Sequence, residues 1–116
     1  MMALPTEHNE QVSLCGWLAI NHPGLDYFAI PNGGERNVIV AQKLKAEGVK
    51  AGIPDLFFPS LKLFIEMKRV KGGSVSPHQK YWHDRLTKAG YAVAVCKGAA
   101  EAVQVITQHL GDKQHG

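Results

Sequence analysis

The chain has 116 residues, 45% apolar and 20% charged, with a formal charge of +3 and a pI near 9.0. That length supports a single core and excludes two independently cored domains. No apolar run approaches the roughly 18–20 residues of a membrane span, and the mild positive charge suits a polyanionic partner without locating it. The opening MMALPTEHNEQ lacks a basic start followed by an apolar core, so no secretory signal is expected. Cys15 and Cys96 lie outside any CxxC or Cys/His cluster, which predicts two buried, unpaired thiols in a reducing cytosol.

The first predicted element is a helix from Glu7 to about His22, capped by Thr6, with Leu14, Trp17 and Leu18 at helical spacing and NHPG (21–24) ending it. YFAIP (27–31) reads as a short strand, followed by the turn NGG (32–34). RNVIVAQKLKAEG (36–48) fits a second helix, with Val40 and Leu44 four apart and Gly48 as its stop. IPDLFF (53–58) and LKLFIEMK (61–68) read as two strands of a hairpin joined by Pro59-Ser60.

KGGSV (71–75) is a flexible loop. SPHQKYWHDRLTKAG (76–90) is the clearest helix: Ser76 is its N-cap, Pro77 suits the first position, Gln79 completes a capping box, and Gly90 ends it. Its expected inner face is Trp82, Leu86 and Ala89. YAVAVCK (91–97) is a strand. AAEAVQVITQHLG (99–111) is a last amphipathic helix with Val103, Ile106 and Leu110 inside, and DKQHG is a frayed polar tail. The order α-β-α-β-β-α-β-α predicts an α/β layered domain with a small mixed sheet flanked by helices.

The chemistry concentrates in LFIEMKRV (63–70). Glu66 and Lys68 are two apart, so on a strand they share one face, beside an apolar run. If 55–58 pairs with 62–67, Asp55 of GIPD becomes a neighbour of Glu66. Two carboxylates that close repel, and one must take a proton unless a cation intervenes. Mg²⁺ prefers such hard oxygen ligands and completes its shell with water and phosphate oxygens. Lys68 would complement the charge of a phosphate and its transition state. The set therefore reads as a phosphodiesterase site, against the plainer alternative of a surface Asp and a solvated Glu/Lys pair at a strand end.

GIPDLFF followed by LFIEMKRVKGGSVSPHQKYWHDRLTKAGYAVAVCKG resembles the PD-(D/E)xK nuclease core, and more narrowly the VRR-Nuc (virus-type replication-repair nuclease) family. The likeness runs from about Glu7 to Ala102, through NGGER (32–36), GVKAGIPD (48–55), IEMKR (65–69), the Ser-Pro-x-Gln junction and AGYAVAVCKG (89–98). It implies a restriction-endonuclease-like fold and Mg²⁺- or Mn²⁺-dependent cleavage of branched or flapped DNA. It also implies a small stand-alone phage or bacterial protein, a homodimer with Holliday-junction resolution among the possible activities, in the cytoplasm of a bacterial or phage-infected host cell.

By the same resemblance, Asp55 and Glu66 bind metal, Lys68 is the catalytic lysine, and the motif's Gln is Gln79. The first-helix acid, also a metal ligand, falls on Glu10, with Glu7 one turn earlier as rival. Asn32 and Arg36 of the NGGER loop, Arg69 and Lys71 of the basic loop, and Ser76 are the candidate DNA contacts, although a plain turn and a solvated charge run would account for the first four. No zinc is expected, since no histidine has zinc-site spacing; His78 and His83 flank the start and outer face of their helix. Tyr81 and Trp82 are expected to pack the core. The rival readings are a DNA-binding module without turnover and a nuclease subunit that needs a helicase or primase partner.

Overall fold

A computed structural model describes residues 3–31 and 38–115. Asn32 and Arg36 therefore lie outside the described residues. In chain order the elements are α1 (Glu7–Asn21), β1 (Phe28–Ala29), α2 (Val38–Ala46), β2 (Leu56–Phe58), a 3₁₀ turn at Pro59–Leu61, β3 (Leu63–Lys68), α3 (Pro77–Lys88), β4 (Ala92–Lys97) and α4 (Ala99–His115). The predicted order holds, as does the mixed sheet.

The sheet runs β1-β2-β3-β4. β1 with β2 and β2 with β3 are antiparallel, the first pair joined by a long connection that carries α2 and the second by the turn at Pro59–Leu61; β3 and β4 are parallel, which requires the crossover that α3 supplies. The β2–β3 register pairs Leu56 with Ile65 and Phe58 with Leu63. The turn closes at Lys62, whose φ of 49° is left-handed, after its N–H bonds Pro59 O.

Period-two alternation divides the sheet. Leu56, Phe58, Leu63, Ile65, Met67 and Cys96 are fully buried on one face, against Leu14 and Leu18 of α1 and Ala102 and Ile106 of α4. The opposite face carries the aromatic contacts Phe28–Phe57, Phe57–Phe64 and Phe64–Tyr91, with ring centroids 5.7, 4.3 and 5.4 Å apart. α3 covers this face only in part, and none of its residues is fully buried.

Several details depart from expectation. Tyr81 is 53% exposed, and Trp82 lines a groove outside the buried core, so neither packs the core as expected. Ala89 is exposed at the end of α3, and His83 takes an inward position instead. β2 is shorter than predicted: the chain bends at Asp55, and Ile53 and Pro54 lie outside the ladder. α4 continues to His115: Gly111 weakens a helix but nothing after it stops one. Of the two free thiols, Cys96 is buried but Cys15 only half-buried.

Candidate active site

Register brings the acids together. Asp55 precedes Leu56, so it stands opposite Glu66 at the end of the β2–β3 ladder. Its Oδ2 accepts the Met67 N–H at 2.7 Å, which fixes the carboxylate over β3. Glu66 is 1% exposed. Glu7, in the first turn of α1, supplies the third carboxylate. One oxygen from each of Glu7, Asp55 and Glu66 lies within 4.8 Å of the others, and burial increases from Glu7 through Asp55 to Glu66.

Glu10 is elsewhere: of the two candidate first-helix acids, Glu7 joins the cluster and Glu10 does not. Its Oε1 accepts the Ala99 N–H at 3.0 Å and satisfies an otherwise unpaired donor at the start of α4. The reason is helix phase: residues three apart on α1 differ by about 60° around the axis. Docking α1 through Leu14 and Leu18 turns Glu7 toward the sheet end and Glu10 toward α4.

Electrostatics follow from the crowding. Burial first, and then the hydrogen bond and charge of Asp55, push the Glu66 carboxyl up to about 9, opposed by Lys68. Glu7 is also raised, by its own partial burial and then by Asp55. Three oxygen-bearing acids, one in a dry position, are a donor set that fits a hard divalent cation: the cation supplies the charge that would otherwise come from a proton.

Lys68 is 7% exposed. Its Nζ donates to Gln79 Oε1 at 3.0 Å, and the same oxygen accepts the Ser76 N–H at 2.9 Å. Ser76 Oγ in turn accepts the Gln79 N–H at 3.2 Å, so the capping box of α3 and the anchor of Lys68 are one structure. Gly52 lets the chain reach it: a Cβ there would lie 2.5 Å from the His78 carbonyl carbon, and φ is +91°. Arg69 and Lys71 are exposed next to this end of the sheet, and Ser76 is occupied as a cap.

His83 is the residue that sequence reasoning missed. Its Nε2 is 3.5 Å from Glu66 Oε1, and burial followed by the Lys68 charge lowers its pKa, so it is neutral at pH 7. The signal was present: Gln79 and His83 are four apart, on one stripe of α3.

The sequence profile of the VRR-NUC domain family matches residues 30–100, more than half of the chain, including Asp55, Glu66, Lys68, Gln79 and His83. The chain belongs to the VRR-NUC domain family. A solved structure of a "VRR_NUC domain protein" is similar over 94% of this chain and 91% of its own, with a TM-score of 0.77 and 27% identity. No curated protein matches significantly. Family membership makes this VRR-NUC chain a nuclease-type domain for processing DNA.

Proposed function

We propose that this VRR-NUC domain is a metal-dependent endonuclease that hydrolyses phosphodiester bonds in DNA, selecting branched or flapped structures. The observation that carries the reading is one cluster: a buried Glu66 beside Asp55 and Glu7, with a buried ammonium two residues along the same strand.

Glu7, Asp55 and Glu66 would hold Mg²⁺ or Mn²⁺. Such an ion supplies Lewis acidity at a phosphoryl oxygen and lowers the pKa of a bound water. The chain's own groups do the rest. Lys68, held by Gln79, presents positive charge to the phosphate, where charge accumulates as the P–O bond to the leaving oxygen breaks. Neutral His83 leans on Glu66 and limits the ways that carboxylate can turn. Arg69 and Lys71 offer exposed charge to the DNA backbone, and such contacts add salt-sensitive affinity without sequence information.

A two-fold homodimer would set two such sites on two strands, as four-way junction resolution requires. The test is cleavage of a four-way junction, a flap and a plain duplex with Mg²⁺, Mn²⁺ or EDTA, beside sedimentation of the free protein. Cuts that need metal and vanish in Glu66→Gln support the reading. Binding without cutting in any metal would move it to a DNA-binding module, and cutting only with an added helicase or primase would make it a partner-dependent subunit.

A further inference from the structure

A second feature adjoins the acidic site without belonging to it. Between α2 and α3 lies a groove of about 420 Å³, lined by Ala41, Lys45, Val49, Lys50, His78 and Trp82 among others. Its size is that of a small-ligand pocket. The apolar part comes from Ala41, Val49 and Trp82; among the described residues the titratable ones lining it are all basic in type, and none is a carboxylate. Among the described residues neither Lys45 nor Lys50 is in an ion pair. Two exposed ammonium groups beside an aromatic ring suit an anion that carries a flat apolar group.

Its position says which anion. Gln79 and His83 form the stripe of α3 that meets Lys68 and Glu66; His78 and Trp82, also four apart, form the adjacent stripe, which lines the groove. Lys50 and Asp55 lie on one connection, pressed against the start of α3 at Gly52. A DNA strand with its phosphate at Lys68 therefore has this groove beside it. Duplex bases spend both faces on stacking, whereas an unpaired base has a face free for an aromatic side chain.

We propose that the groove seats an unpaired nucleotide next to the scissile phosphate, with the base against Trp82 and backbone phosphate on Lys45 and Lys50. The inference rests on the nuclease reading and adds a reason for preferring substrates with a single-stranded arm.

The test is equilibrium binding in EDTA, at several salt concentrations, of a labelled blunt duplex and of the same duplex with a single-stranded arm. Wild type should prefer the armed duplex. Lys45→Ala/Lys50→Ala should weaken armed-duplex binding about tenfold and flatten its salt dependence, with a smaller loss on blunt duplex. Trp82→Leu should weaken armed-duplex binding with the salt dependence unchanged. Both lysines are exposed, so the double variant carries the test even if Trp82→Leu melts early. Equal losses on both duplexes, or none, overturn the groove. Cleavage in Mg²⁺ is scored separately: arm preference that depends on the lysines in a protein that never cuts sinks the nuclease reading and keeps the groove. Cleavage with unaltered arm binding in the lysine variant does the reverse.

Discussion

On one face of β3, Leu63, Ile65 and Met67 are fully buried against α1 and α4; on the other, Phe64 packs with Phe57 and Tyr91, and then Glu66 and Lys68 follow. Both faces lose water. The first is stabilised by doing so, at about 25 cal/mol for each Å² of apolar surface. The second removes a carboxyl group and an ammonium from solvent, a desolvation that costs stability and, without metal, holds the carboxyl protonated. A fold alone would favour leucine at both positions. The difference teaches that the second face is kept for chemistry, and that substitutions on the two faces should separate stability from activity.

The largest expected effect is on the charged face. Glu66→Gln keeps the volume and removes the carboxylate that would bind metal, so cleavage should fall by about 10³-fold or more while metal-free thermal stability stays level or rises. Lys68→Met should cost roughly 10²-fold in kcat, as loss of one positive group at a developing charge does; single-turnover kinetics at saturating metal measure both. On the apolar face, Ile65→Ala should lower unfolding free energy by about 2–5 kcal/mol in urea melts. Its kcat should be unchanged well below the melting temperature.

Smaller again is Glu10→Ala. It removes the cap on Ala99 N–H, so a loss of about 1 kcal/mol is expected. Metal affinity should persist, whereas Glu7→Gln should weaken it.

The last expected effect is a slope with pH. Folded Glu66 keeps its proton up to about 9, against 4.5 as its ordinary value, so the folded chain binds the extra proton between those limits. Metal-free stability should therefore fall as pH rises from 6.5 toward 9. His83, lowered from 6.5, is neutral on both sides of the unfolding equilibrium over most of that window. Urea melts at three pH values should show the decline, and Glu66→Gln should flatten it.

Much of this was legible from local pattern. Period-two alternation placed Glu66 and Lys68 on one face, and the hairpin brought Asp55 opposite, because register follows from buried alternation. Ser76 and Gln79 announced the start of α3 by a capping box whose partners are three residues apart. What stayed hidden depends on packing between elements. Nothing within α1 says whether Glu7 or Glu10 meets the sheet, since that angle is set by how Leu14 and Leu18 dock. His83 has no zinc-site spacing, and its only local signal is its four-residue offset from Gln79. The groove joins α2 to α3, two helices far apart in sequence, and no single segment encodes it.

The most direct test of the central claim is calorimetric titration of Mn²⁺ at pH 8 into wild type, Glu66→Gln, Glu7→Gln and Glu10→Gln. A saturable site in wild type, abolished by Glu66→Gln, weakened by Glu7→Gln and retained in Glu10→Gln, is the predicted result. Undiminished Mn²⁺ binding in Glu66→Gln, or no binding in wild type, would contradict a metal centre built from Glu7, Asp55 and Glu66.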